Sequence, residues 1–331
     1  MATIKVSDYL NGQLLDDMET FKAGSRAKTG YKNIDLMTSL YPGLYILGAI
    51  SSLGKTTFAH QMADQISASG TPVLFFSLEQ SALELVSKSL ARTYAKHIDG
   101  LSSLQIRKLP KDDPRLIKAI EEYKKISENL YITDCDDFSI DIDKIISVTD
   151  TFIQKTGKTP VVIVDYLQVI QLPEKYSTKE SIDIILKKLR ALSRKNNMVV
   201  MAISSLNRQN YLSELDFEAF KESGGIEYTA DVLWGLQLSV IHDPIFDKAN
   251  CLNEKRQKIR EAKAKPVREI ELICLKNRYG ISSYTCTFDY IANNDYFEPT
   301  FKDNAAADTF AAAEADPDGF TEIPDELCPF K

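Results

Sequence analysis

The segment LGAISSLGKTTF, residues 47–58, holds residue types that bind the phosphates of a nucleotide. Gly54, Lys55 and Thr56 supply backbone N–H groups, an ammonium and a hydroxyl, as the pattern G-x-x-x-x-G-K-S/T requires. Ala49 stands at the first glycine of that pattern, where a Cβ is tolerated if φ stays negative. The sequence therefore predicts a phosphate-binding loop, with an ordinary Gly-Lys turn as the alternative. The predicted contacts are Ser52, Leu53, Gly54, Lys55, Thr56 and Thr57.

Two acidic residues end apolar segments and complete a hydrolytic set with this loop. Asp165 ends VVIVD, and it is expected to serve a bound cation because an unpaired buried carboxylate is costly. Thr56 and Asp165 are thus the predicted Mg²⁺ residues. Glu79 ends PVLFFSLE and is the candidate for polarising the attacking water. Its alternative role is that of a charge at a helix N-terminus.

The elements that must hold these residues alternate between apolar strands and helices. LYILGAI precedes the loop and KTTFAHQMADQISASG follows it, which is the strand–loop–helix context of a phosphate loop. Further strands are expected in PVLFFSLE, LYITD, VVIVDYLQVI and NMVVMAISSL, with helical patterns between them. Strands that are apolar on both faces indicate an α/β fold with a mostly parallel central sheet. VREIELICLKNRYG and SSYTCTFDY predict a C-terminal β-hairpin across Gly280.

Composition limits the classes to which the chain can belong. Apolar residues make up 44% and charged residues 26% of the 331 residues, as in a soluble globular protein. Five scattered cysteines and three separated histidines argue against a disulfide framework and a His-ligated metal. The longest apolar run, residues 161–170, contains Asp165 and is too short to cross a bilayer. These features predict a cytoplasmic protein with no membrane partner.

The net charge of −7 is distributed unevenly. Residues 302–331 carry a net −6 and are rich in Ala, Asp, Glu and Pro, which predicts a disordered acidic tail. Residues 1–301 sum to −1, so any nucleic-acid contact surface on this body must be local. Residues 254–268 form a basic stretch with interspersed acids, where an exposed helix or hairpin extension is favoured over DNA contact.

A short amphipathic helix is expected at the N-terminus. The apolar residues with helical spacing are Val6, Leu10, Leu14, Met18 and Phe21. Because so short a helix is marginal in isolation, it must pack on its own domain or dock on another subunit. Gly24 and Ser25 offer a joint after it. We therefore expect a linker helix or arm at 1–25, one α/β domain at 26–301 and a tail at 302–331.

The chain resembles the C-terminal ATPase domain of DnaB-type replicative helicases from about Thr29 to about Phe297. Besides the phosphate loop, the segments that carry the resemblance are FFSLEQS, VVIVDYLQVI, ISSLNR, KESGGIEYTADV and LKNRYG. In detail they resemble the versions found in phages and mobile elements. The resemblance implies a RecA-like P-loop core that unwinds DNA in replication by hydrolysing ATP. It also implies a ring, taken as a hexamer, around single-stranded DNA, with primase and a helicase loader as further partners.

Roles within the ATP site follow from the same resemblance. Lys55 and Thr56 bind phosphate and Mg²⁺, and Asp165 holds Mg²⁺ through water. Glu79 is the general base. Ser205 stands where the family has a glutamine that senses the γ-phosphate. Because serine is too short to make that contact without water, the coupling between hydrolysis and DNA movement is open.

Two further sets of residues match family motifs outside the ATP site of the same chain. Lys276 and Arg278 match a basic finger that enters the neighbouring subunit's site, and their alternation on a strand puts both on one face. The alternative is a salt-bridged strand. Lys221, Glu222 and Gly224 match the central DNA-binding loop, and a solvated turn is the alternative.

The resemblance does not cover the family's N-terminal helical domain, which forms a collar and meets primase. Residues 4–23 are expected to represent its linker helix only, in a fragment or a reduced natural form. Two rival functions therefore stay open. One is a RecA-, RadA- or KaiC-like ATPase that binds DNA without unwinding it, and the other is an ATP-binding scaffold or loading partner with negligible turnover.

Overall fold

The computed structural model describes most of the chain in nine stretches. They are residues 4–23, 27–94, 100–134, 140–172, 176–207, 211–220, 223–248, 251–281 and 283–301. The predicted tail at 302–331 lies outside the described residues, as does the joint at Gly24 and Ser25. The division into arm, domain and tail therefore stays a prediction.

One nine-stranded sheet runs through the described residues. Its strands are β1 (Gly43–Ala49), β2 (Val73–Ser77), β3 (Leu130–Asp134), β4 (Val161–Asp165), β5 (Val199–Ser205), β6 (Val232–Leu238), β7 (Val267–Asn277), β8 (Thr285–Ile291) and β9 (Tyr296–Thr300). Their order is β3-β2-β4-β5-β1-β6-β7-β8-β9. Neighbours pair in parallel from β3 to β6 and antiparallel from β6 to β9. The predicted α/β fold, mostly parallel sheet and C-terminal hairpin β7–β8 are confirmed.

Helices cover the sheet and connect its strands. They are α1 (Val6–Asp8), α2 (Leu14–Ala23), α3 (Lys32–Met37), α4 (Lys55–Ala68), α5 (Ala82–Tyr94), α6 (Ser103–Ile106), α7 (Pro114–Ile126), α8 (Ile142–Thr156), α9 (Thr178–Asn196), α10 (Ser223–Thr229) and α11 (Leu252–Ala264). Local sequence sets several of their ends. Ser177 and Glu180 form a capping box before α9, and Asn197 ends it in the left-handed conformation.

The core lies on both faces of the parallel strands. Every residue of β1, β2, β4 and β6 is buried. Large side chains such as Trp234, Tyr45 and Phe75 are at most 1% exposed. Burying one such side chain contributes about 1.5–3 kcal/mol to stability, so these strands form a firm base for the loops at their ends. Among the described residues, no helix is long and apolar enough to cross a membrane.

The predicted N-terminal helix is present and most of its apolar stripe is exposed. A π-helical segment, Tyr9–Gln13, connects α1 to α2. Val6, Leu10 and Met18 are 70%, 57% and 45% exposed. Its last turn contacts the body of the domain, where the Phe21 ring stacks on Tyr41 with centroids 5.8 Å apart. The helix therefore covers little of its own domain.

Candidate nucleotide-binding site

The phosphate loop joins the carboxyl end of β1 to the amino end of α4. Two of its residues adopt left-handed backbone conformations, Ser52 with φ of 66° and Gly54 with φ of 83°. Gly54 directly precedes α4, and a Cβ there would come within 3.0 Å of the Tyr290 ring. The first N–H groups of α4 have no partner within the helix, so they favour an anion at this point.

The loop faces a cavity of about 420 Å³. Its lining residues are Ser51, Ser52, Gly54, Lys55, Thr56, Thr57, Glu79, Gln80, Lys88, Tyr166, Ser205, Tyr290 and Asp295. The predicted phosphate-binding residues are thus brought together, with one difference. The Leu53 side chain is fully buried in the core, so only its backbone is available to a phosphate.

Lys55 points towards the end of the neighbouring strand β5. Its Nζ donates a hydrogen bond of 3.1 Å to the Ser205 hydroxyl and lies 4.9 Å from the centre of the Tyr166 ring. Ser205 pairs in register with Ala49, which places it beside the start of the loop. Both of these partners of the ammonium are uncharged, so its positive charge can still be paired with a phosphate.

Asp165 lies at the end of β4, next to the end of β2, and its carboxylate is completely buried. Neither of its oxygens has a hydrogen-bond partner within the described part of the chain. Burial raises the pKa of Asp165 to about 6, although the Thr56 hydroxyl and the Lys55 ammonium oppose the rise. Buried, unpartnered carboxylate oxygens beside a hydroxyl suit a hard cation with oxygen ligands, so these residues fit Mg²⁺.

Glu79 approaches the same cavity from the end of β2. It follows Ser77, the residue that pairs with Asp165, by two positions, and its side chain is exposed. Its negative charge contributes to the raised pKa of Asp165 and of Tyr166, so it lies close to both. An exposed carboxylate at this position can accept a proton from water beside a bound phosphate.

Two charged residues of the cavity were missed by the sequence analysis. Lys88, on α5, lies 3.8 Å from the Asp295 carboxylate and donates to the Thr57 hydroxyl at 3.3 Å. Thr57 in turn donates to Asp295 at 3.2 Å. Burial lowers the pKa of Lys88. The signal for Lys88 was its helical spacing from the buried Leu85, whereas nothing local in the sequence connects Asp295 to the loop.

Lys276 and Arg278 lie at the opposite end of the sheet. Lys276 Nζ donates to the Glu227 carbonyl at 2.6 Å, and Arg278 forms a 3.2 Å ion pair with Asp231. The structure therefore does not bring them to the phosphate loop of their own chain. Of the predicted DNA-binding residues, Lys221 and Glu222 lie outside the described residues, and Gly224 lies in the first turn of α10.

The sheet order and the phosphate loop together define a RecA-like P-loop domain. The model of the DnaB-like helicase C terminal domain family matches residues 27–298, and the chain belongs to that family. The resemblance found in the sequence is thus confirmed.

Individual relatives agree with this assignment. The chain is 30% identical to the replicative DNA helicase DnaB of Geobacillus stearothermophilus, over 70% of this chain and 50% of that protein. It is 29% identical to the same protein of Pasteurella multocida, over 67% and 48% of the two chains. The chain thus spans about half the length of these curated relatives. A solved DnaB-like replicative helicase, described with its interactions with primase, superposes with a TM-score of 0.69 at 22% identity, covering 90% of this chain and 67% of that one.

Proposed function

We propose that this chain is the motor domain of a DnaB-type replicative helicase, which hydrolyses ATP to move along single-stranded DNA and unwind duplex DNA. The observation that carries the proposal is the cavity at the carboxyl ends of the strands. Lys55, Thr56 and Glu79 line it and the buried Asp165 lies beside them, so that three separate segments of the chain converge there. Such a set supplies phosphate binding, cation binding and a general base in one place.

The proposed chemistry assigns one task to each group. Lys55 and the N–H groups at the start of α4 hold the β- and γ-phosphates. Thr56 and Asp165 hold Mg²⁺, which supplies positive charge that neutralises the phosphate oxygens. Glu79 accepts the proton of the attacking water. Ser205, which bonds to Lys55, lies beside the γ-phosphate position and reports on it through water.

The finger residues suggest that each site is completed by a second copy of the chain. Asn277 pairs with Val232, and Val232 pairs with Tyr45 at the amino end of β1. The phosphate loop begins after Ala49, four residues and about 13 Å further along that strand. Lys276 and Arg278 therefore lie far from the phosphate loop of their own chain, and we propose that they enter the site of a neighbour in a ring.

DNA and protein partners are part of the same proposal. We place single-stranded DNA at Lys221, Glu222 and Gly224, on the inside of a hexameric ring. Primase and a helicase loader are proposed as further partners, and the cytoplasm as the location. The support for DNA and for oligomerisation is family membership and the names of the relatives. The support for primase is that one similar solved structure is described with it.

The direct test measures ATP hydrolysis and strand displacement on a forked duplex with the purified chain. We expect hydrolysis that is stimulated by single-stranded DNA, together with unwinding. Lys55→Ala is the control, since it removes the phosphate-binding ammonium and should abolish both. Hydrolysis without unwinding would favour the KaiC-like rival, and ATP binding without turnover would favour the scaffold.

A further inference from the structure

The basic stretch at residues 254–268 makes contacts that neither interpretation of the sequence predicted. It forms α11 and the first residues of β7. Most of its charged side chains are exposed, as expected of an extension. Lys263 and Arg268, however, both reach back to the phosphate loop.

Each of these two cations binds a main-chain oxygen of the loop. Lys263 Nζ donates to the Ser51 carbonyl at 2.7 Å, and the Arg268 guanidinium donates to the Ser52 carbonyl at 3.1 Å. Arg268 also lies over the Tyr290 ring at 5.6 Å, which itself stacks on Phe297 at 4.2 Å. Arg268 is thus held in place by the Tyr290–Phe297 ring pair, which belongs to the hydrophobic core.

These contacts lie on the outer side of the loop. A phosphate loop turns its N–H groups inward to the anion, which leaves carbonyl oxygens on the opposite side. Neither Lys263 nor Arg268 is among the residues that line the cavity. Their hydrogen bonds therefore act on the loop itself, and do not contact the phosphates directly.

The phosphate loop contains a strained backbone conformation that such hydrogen bonds would stabilise. Ser52 has φ of 66°, which is unfavourable for a residue with a Cβ and persists only where the surroundings impose it. Its carbonyl is the one that Arg268 holds. A cation on each carbonyl also polarises the peptide group, which makes the N–H on the other side a better donor to an anion.

We propose that Lys263 and Arg268 are positioning residues that hold the phosphate loop in its nucleotide-binding conformation. The proposal rests on the proposed function in one respect, namely that the loop binds nucleotide phosphates. It assigns the basic stretch to the ATP site of its own chain and not to DNA. The expected consequence is tighter nucleotide binding with an unchanged chemical step.

The test measures the Kd for Mg²⁺-ADP and Mg²⁺-ATP by calorimetry and kcat at saturating ATP, in Lys263→Met, Arg268→Ala and the double variant. Each single change should weaken both nucleotides about three- to tenfold, as the loss of one partly exposed charged hydrogen bond predicts. ADP and ATP should be affected equally because the loop segment cradles the phosphate that they share. The kcat should stay within about twofold, because no group in contact with the reacting atoms changes.

Matched variants separate positioning from charge and from folding. Arg260→Ala removes a cation from the exposed side of the same helix and should leave both Kd values unchanged. Lys263→Arg retains a donor and should restore most of the affinity. The Tm without nucleotide should be unaffected in every variant, since both hydrogen bonds are at the surface.

Three results would overturn the inference. They are an unchanged Kd in the double variant, a loss of kcat without a change in Kd, and a fall in Tm that parallels the fall in affinity. A failure of the premise that the loop binds nucleotide is distinguishable, because the unaltered protein would then bind no Mg²⁺-ADP and Lys55→Ala would change nothing. A failure of unwinding alone would leave these binding measurements unaffected.

Discussion

The charged residues at the two ends of the parallel strands differ in their surroundings and in their hydrogen-bond partners. At the carboxyl ends, Lys55 and Glu79 line one cavity, and the buried Asp165 carboxylate next to them has no hydrogen-bond partner among the described residues. At the amino ends, within the part of the chain that the structure describes, Lys276 is paired with a carbonyl and Arg278 with a carboxylate that has other partners. One end collects the residues of a candidate binding site, and the other carries two cations that lie apart from that site.

The ion pair at the amino ends can be broken at little cost. Asp231 also accepts from Arg190 at 2.9 Å and from the Leu44 N–H at 3.0 Å, so it stays satisfied if Arg278 leaves. The Arg278 side chain is 44% exposed, and such pairs contribute about 0–1 kcal/mol. By contrast, Asp64 on α4 and Arg92 on α5 are almost fully buried and form a structural pair. The difference indicates that Arg278 is available to a second partner, as a head-to-tail ring would require.

Arg278→Ala is the change that tests this contrast most strongly. If Arg278 acts on a neighbour's nucleotide, the variant should bind ATP normally and lose about 10³-fold or more in kcat, the usual contribution of an arginine finger. Steady-state hydrolysis and nucleotide titration on the same preparation give the two quantities.

Mixing variants shows whether the residue acts within its own chain. Arg278→Ala mixed with Lys55→Ala should recover part of the activity, because some interfaces then pair an intact loop with an intact finger. Native mass spectrometry must show mixed rings for the experiment to count. Mixed rings without recovery at any ratio would place Arg278 outside the neighbour's site.

Glu79→Gln tests the carboxyl-end site alone. The glutamine keeps the shape of the side chain but cannot accept the proton of water, so kcat should fall by about 10²–10⁴ while the Kd for ATP is kept. Single-turnover hydrolysis with radiolabelled ATP measures this range. Turnover at the rate of the unaltered protein would remove Glu79 from the mechanism.

Removal of residues 1–24 tests whether the amino ends of the strands form part of an interface with a neighbouring chain. The last turn of α2 reaches that end through stacked rings, since Phe21 lies on Tyr41 and Tyr41 lies on Tyr279, the residue after Arg278. The exposed stripe of the helix should dock on a neighbour, where each large side chain contributes about 1.5–3 kcal/mol. We expect the truncated chain to be a folded monomer at micromolar concentration with reduced DNA-stimulated hydrolysis.

Light scattering coupled to size exclusion measures the mass, with and without an ATP analogue. Circular dichroism is the control that the monomer is folded. If the truncated chain keeps the mass of a full ring, the helix does not hold neighbours together.

Sequence patterns predicted the phosphate-loop end of the molecule better than the rest. Lys55, Asp165 and Glu79 each follow or end an apolar strand, and the carboxyl ends of parallel strands meet at one edge, so their convergence followed from local patterns. β6 was not assigned because a short apolar run does not distinguish a strand from a helix. Asp295 comes from the turn before β9, and its proximity to Thr57 depends on how the C-terminal strands fold back.

In the protein without Mg²⁺ and nucleotide, Asp165→Asn gives the smallest expected effect, and it tests whether the buried, ionised carboxylate at the carboxyl-end site lowers the stability of the fold. Burial raises the pKa of Asp165 from 3.8 to about 6, so the folded chain binds a proton more tightly than the unfolded chain does. Stability therefore rises as the pH falls towards 4, and the ionised carboxylate lowers stability at pH values above about 6. Each pH unit between the two pKa values corresponds to about 1.4 kcal/mol.

Without Mg²⁺ and nucleotide, Asp165→Asn should raise the free energy of unfolding by about 1–3 kcal/mol at pH 8, while it abolishes Mg²⁺-dependent hydrolysis. The gain should be about half as large at pH 5, where the folded carboxyl is already mostly protonated. Urea unfolding in EDTA at the two pH values measures it, with Asp289→Asn, at a partly exposed residue of β8, as the control. An equal gain at both pH values would mean that ionisation is not its cause, and that the empty site carries no electrostatic strain for Mg²⁺ to relieve.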